Sequence, residues 1–262
     1  MTSAAEPAAG AARMNLWRLE WLRLTRTPRA LALGTVYVLL GLTQPVLTKY
    51  QNKLLSHAGN GIRIYAPPPK PSDGLSSYIS QASLLGLIVV VVLAAGALSF
   101  DSRPGLATFL RTRITNIWQL VTPRFAASAA AATIAYLLGT LAAWYETGLL
   151  IGSLPVTGVL AGILCGTAYL VFAVAVTTLA ASFARSTLAT SGITLVILLI
   201  LPITSTFHAL DRWLPSTLVD APVNLVSGAH QLPYYLPALA VTVTASAAAL
   251  ATAVLRLQSR EI

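Results

Sequence analysis

Few residues in this 262-residue chain could do chemistry, and where they stand limits what that chemistry could be. His57, His208 and His230 all fall in polar stretches between apolar runs, and Asp211 and Asp220 lie near the last two. His208, Asp211, Asp220 and His230 are residue types that could form a metal or acid–base site, though solvated loop side chains are the simpler account. Ser191-Gly192 lacks the G-x-S-x-G turn of a hydrolase, and no histidine occurs in a later apolar run. Cys165, set among Gly and Thr, reads as a packing residue. As the lone cysteine it also excludes an intramolecular disulfide and argues against a cysteine-rich metal site. No G-x-x-x-x-G-K-[ST] is present, and none of Lys49, Lys53 and Lys70 follows a glycine-rich turn. The expectation is a protein that is no enzyme and holds no cofactor or metal.

Stepping outward from those residues, 56% of the chain is hydrophobic and only 10% is charged, against about 25% charged in a soluble domain. A bilayer-crossing helix takes roughly 17–25 apolar residues, and six segments qualify: about 30–47, 79–100, 125–145, 156–181, 188–207 and 232–255. The expected fold is therefore an all-α integral membrane protein with six transmembrane helices in a domain over 30–255. Gln44 and Pro45 suggest distortion or re-entry near the end of the first span. No Asp, Glu, Lys, Arg or His occupies the middle of any of these segments, and Glu146 stands at an end beside Trp144 and Tyr145. A proton-coupled carrier needs a titrating group at membrane depth. Uphill transport by this chain would therefore have to be driven by a partner.

Of 14 arginines, 12 fall in segments that an even span count places together with both termini, while the three lysines fall on the other side. The positive-inside rule makes the arginine side the cytoplasm, and this asymmetry points to anionic headgroups and not to nucleic acid. Residues 1–13 are small and polar with no hydrophobic h-region, so a disordered tail is expected and no cleaved signal peptide. An interfacial elbow helix is predicted over 14–29. Trp17, Trp21 and Leu24 share one side of it, with Arg18, Arg23 and Arg26 broadly opposite. A flank that only orients the first span is the alternative, and Pro28 breaks the helix either way. Residues 256–262 form a cytoplasmic tail.

The basic connection 101–124 carries Arg103, Arg111, Arg113 and Arg124. After Pro104-Gly105, Leu106, Phe109 and Leu110 recur at helical spacing, followed by Ile114, Ile117, Trp118 and Val121, which predicts an amphipathic helix on the inner face. The outer loop 48–78 contains the stiff run Ala66-Pro67-Pro68-Pro69-Lys70-Pro71 and could hold an accessory partner or cap a transport path. The last outer connection, with Pro215 and Pro222, reads as irregular chain that dips back toward the membrane. Gly158, Gly162 and Gly166 stand four apart, clearing one helix face for close packing within the chain or against another subunit, and Ala127, Ala131 and Ala135 make a similar face. Pro202 is a candidate hinge.

This layout resembles the type-two permeases of ATP-binding-cassette exporters. In that family the second span ends in an acidic residue followed by Arg and Gly-Thr, then a leucine-rich helix and a Pro-x-Ser-Arg turn. The matching stretch is Phe100-Asp101-Ser102-Arg103-Pro104-Gly105-Leu106-Ala107-Thr108-Phe109-Leu110, continued by Ile117 to Phe125. Asp101 replaces the usual Glu, Leu106 stands where Thr is common, and Thr112-Arg113-Ile114-Thr115 replaces the proline turn. The resemblance implies a bacterial inner-membrane permease that pairs with a second six-span subunit and with two cytoplasmic ATP-binding-cassette ATPases. It also implies that Asp101, Arg103, Gly105, Phe109, Arg111 and Arg113 form the ATPase-coupling interface. Uncharged Ala-, Thr- and Leu-rich spans suit an amphiphilic or hydrophobic cargo such as a drug, lipid or lipid-linked molecule. Two other readings stand beside this one: a scaffold or anchor binding a partner through 48–78, and a membrane enzyme using 208–230.

Overall fold

The computed structural model describes residues 16–26, 28–58, 67–99, 117–184, 186–204 and 212–259, and all regular structure among them is helical. In chain order these helices are α1 (Leu16–Arg26), α2 (Pro28–Ala58), α3 (Pro71–Leu98), α4 (Trp118–Leu150), α5 (Val156–Phe183), α6 (Thr187–Thr204), α7 (Thr217–Ser227) and α8 (Leu232–Ser259). Five of them, α2, α3, α4, α5 and α8, are long and apolar enough to cross a membrane, and α6 is a shorter apolar helix. The chain is an all-α, multi-pass membrane protein. Exposed aromatic side chains stand near opposite helix ends, Trp17, Trp21 and Trp118 on one side and Tyr50, Tyr145 and Trp213 on the other. From position 118 to position 145 helix α4 rises about 40 Å at about 1.5 Å per residue, the thickness of a bilayer with its headgroups.

Helix α5 is the hub. In its most apolar window 67% of residues are buried, against 22% for α2, and α3, α4, α6, α7 and α8 all pack on it. Helix α2 lies outside, on α4, and two glycines set that crossing. A Cβ on Gly41 would strike the Gly139 carbonyl, and one on Gly139 would stand 2.6 Å from the Tyr37 carbonyl oxygen. Backbones approach this closely only where neither helix carries a side chain. Tyr37 also fills the notch left by Gly86, at the end of a π-helical turn (Ala82–Gly86) inside α3.

Several buried threonine hydroxyls are satisfied within their own helices. Thr140, Thr177, Thr178 and Thr194 each donate to the carbonyl four residues earlier at 2.8 Å, and Thr242 does the same at 2.6 Å. In hydrocarbon a free hydroxyl is costly, so back-bonding lets threonine sit in a span as though apolar.

Several predicted boundaries are corrected. Helix α2 runs unbroken through Pro45 to Ala58, so the helix that carries the first apolar segment continues past 47 without the expected re-entry. No Gly or Pro interrupts 46–58, and polar residues such as Lys49, Gln51 and Lys53 continue a helix after it has left the apolar layer. Most of the described part of the predicted loop 48–78 is consequently helical. Helix α3 begins at Pro71, in the first turn, where its missing N–H costs nothing, and the Lys70 N–H donates to the Asp73 carboxylate at 2.8 Å. Residues 118–124, assigned by sequence to the 101–124 connection, are the first turns of α4. Within the connection read as irregular, 217–227 is helix α7, which Gly228 ends in the left-handed conformation at φ 77°.

Candidate functional site

The residues best placed to do something specific meet where α1, α2, α3 and α4 converge. Arg26 ends α1 and Pro28 opens α2, so the elbow is a separate short helix laid against the bundle. Trp17, Trp21, Arg18 and Arg26 are exposed on it, whereas Glu20 faces inward and is 9% exposed. Arg124 of α4, 7% exposed, donates from Nε to Glu20 Oε1 at 3.0 Å. Two charges taken out of water together survive because each neutralises the other.

Beside this pair stands a third charge. Arg29, in the first turn of α2, is exposed and has no ion-pair partner among the described residues. Its guanidinium reaches over Gly96 of α3, with Nη1 3.7 Å from where a Cβ on that glycine would lie. Glu20, Arg29 and Arg124 form the polar end of a groove whose walls are Leu33, Val90, Ala94, Ala97, Ala127 and Ala131. Of the alanine face predicted on α4, Ala127 and Ala131 line this groove, while Ala135 belongs to the core. Sequence reasoning passed over both Glu20 and Arg29. The available signal was that Glu20 is the sole acidic residue between positions 7 and 72.

The predicted coupling residues Asp101, Arg103, Gly105, Phe109, Arg111 and Arg113 lie outside the described residues. Arg23 falls within α1, but its side chain also lies outside the description. The glycine stripe on α5 packs within the chain, and its three positions receive two different neighbours. A Cβ on Gly158 would stand 2.8 Å from the Leu225 carbonyl oxygen, and one on Gly162 would stand 2.6 Å from Pro222 Cα, so these two seat α7. Gly166 instead receives the Tyr136 ring of α4.

At the other end of the bundle, Pro202, Ser216, Asp220, Asn224, His230 and Tyr235 line an open polar cavity. The His230 ring stacks on Tyr234 at 4.2 Å and 4°, and the Arg212 guanidinium carbon lies 5.6 Å from the centroid of the same tyrosine ring. Asp220 and His230 thus share one cavity wall, while His208 and Asp211 lie outside the described residues. Among the described residues no three His, Cys, Asp or Glu side chains come together as a metal site. Pro202, the candidate hinge, sits inside α6 at this cavity, and as a proline it leaves the Leu198 carbonyl without its usual helical donor.

No family model matches the chain. It is similar to the uncharacterized transmembrane protein YxlG of Bacillus subtilis, 24% identical over 140 residues. The match covers 52% of this chain and 54% of that protein, so the chain spans about half the length of the curated relative it matches. That likeness agrees with the apolar helices on a membrane setting and carries no activity with it.

Proposed function

We propose that this chain is the permease subunit of an ATP-driven exporter of the ATP-binding-cassette type, in a bacterial inner membrane. It forms half of a path for an amphiphilic or hydrophobic solute. In this reading α6 also crosses, as the fifth of six spans in chain order, and both termini are cytoplasmic. Eighteen residues of α6 rise about 27 Å, close to the roughly 30 Å hydrocarbon thickness. Thr187 at its start lies by Gly96, and Pro202 near its end lies by Ser216 and Tyr234, which supports a full crossing. Helix α7, at 11 residues, is too short to cross and packs on α5 near one membrane face.

The observation that carries the reading is the Glu20–Arg124 pair. It ties the elbow to the helix that directly follows the basic 101–116 connection. A push delivered to that connection by a cytosolic ATPase would reach α4 and α1 together. The chain has neither a phosphate-cradling loop nor a charged residue in the middle of a span, so the driving force is assigned to that partner. Two ATPase subunits and a second six-span subunit, identical or homologous, complete the proposed assembly.

Purification from the native membrane tests this directly. A stoichiometric Walker-type ATPase should accompany the chain, and transport in liposomes should require both proteins and ATP. Solute movement by this polypeptide alone would overturn the reading. A second reading, a membrane enzyme working from 208–230, has one observation in its favour: Asp220 and His230 line the same cavity.

A further inference from the structure

The groove under the elbow has features beyond the Glu20–Arg124 tie that the proposed transport cycle uses. Its walls are apolar along α2, α3 and α4, and its polar end holds two arginines against one carboxylate. Glu20 already neutralises Arg124, so the surplus charge is that of Arg29, which is exposed and free of ion pairs among the described residues. The same end of the bundle carries exposed Trp17 and Trp21, side chains that settle at headgroup depth, and exposed Arg18 and Arg26. A cation at headgroup depth over an apolar furrow is complementary to one class of molecule, a lipid with an anionic headgroup.

We infer that the groove between α1, α2, α3 and α4 binds an anionic glycerophospholipid from the adjacent leaflet, its phosphate on Arg29 and an acyl chain along Val90, Ala94, Ala97 and Ala131. The Arg29 guanidinium lies within van der Waals reach of Gly96, which places its charge above α3. The Glu20–Arg124 pair closes the groove beneath the elbow and adds no net charge.

Native mass spectrometry of the full chain in detergent tests this, using phosphatidylglycerol and phosphatidylcholine with identical acyl chains as probes. The wild type should retain phosphatidylglycerol about fivefold better, the scale of one basic side chain near an anionic surface. Arg29→Gln should abolish that preference and leave phosphatidylcholine unchanged, since an exposed, unpaired side chain contributes little to folding. Ala97→Phe, which fills the furrow and spares Arg29, should lower retention of both lipids. Undiminished preference in Arg29→Gln overturns the inference, as does undiminished lipid retention in a folded Ala97→Phe. Complete displacement of the lipid by millimolar inorganic phosphate also overturns it, because the site would then be a simple anion site. None of these readouts involves the ATPase, so the lipid site and the exporter reading fail separately.

Discussion

Arg124 and Glu20 are 104 residues apart in the chain, yet Nε of one lies 3.0 Å from Oε1 of the other in a buried contact between α4 and α1. Removing one member takes from the other the opposite charge it faces in this buried contact. Arg124→Leu or Glu20→Leu should therefore each cost about 3–5 kcal/mol, whereas the double variant should cost far less than their sum. Thermal unfolding of the four purified proteins in one detergent gives the cycle. Purely additive losses would mean that the pair is an incidental contact.

Gly162 and Gly192 make a matched comparison. A Cβ at Gly162 meets Pro222 Cα at 2.6 Å, and one at Gly192 meets nothing within 4 Å. Gly162→Ala should destabilise by about 1–3 kcal/mol, through a forced shift of α7. Gly192→Ala should be neutral or slightly stabilising, because alanine favours helix by up to about 1 kcal/mol. Equal melting behaviour of the two variants would contradict the seating of α7 on α5.

Tyr37 is fully buried and its hydroxyl has no hydrogen-bond partner among the described residues. An unsatisfied buried polar group costs about 1–3 kcal/mol, so Tyr37→Phe should be neutral or stabilising. Tyr78 differs, since its hydroxyl donates to the Tyr136 carbonyl at 3.4 Å and also lies 3.4 Å from Thr140 Oγ1. Tyr78→Phe should lose about 0.5–1.5 kcal/mol. Unfolding midpoints that rank the two variants the other way would refute this assignment of partners.

If the exporter reading holds, the basic connection transmits force. Gly105→Trp or Arg103→Glu should then uncouple ATP hydrolysis from transport in the reconstituted complex while leaving helix content and unfolding temperature unchanged. Normal coupling in both variants would remove the connection from the mechanism.

The cavity shared by Asp220 and His230 separates the exporter from the enzyme reading. Alanine at the exposed Asp220 and His230, singly and together, should leave ATP-dependent transport within about twofold, the scale of exposed sites. Loss of function on replacing Asp220 or His230 alone, in a protein that still folds, would favour chemistry at that cavity.

Composition and run length were enough to establish an all-helical membrane protein and to locate its apolar segments. Both are one-dimensional quantities, since a stretch of about twenty residues without charge has few other stable homes. The same measure misplaced the helix ends. Hydropathy registers where a helix leaves the hydrocarbon, not where its hydrogen bonding stops, so 48–58 and 71–78 read as loop although they are helical, and 118–124, read as part of a separate inner-face helix, is continuous with α4. Helix α7 escaped notice because Pro222 looks like a breaker on its own, and only the cleared face of α5 at Gly162 shows how its ring is accommodated. The glycine stripe itself was plain in the sequence. That two of its positions receive α7 and the third receives Tyr136 was decided by the fold. The Glu20–Arg124 pair and the exposed Arg29 beside its groove could not be read in advance. Hydrophobic burial acts on each segment separately, whereas an ion pair between residues 104 positions apart exists only after the helices have packed.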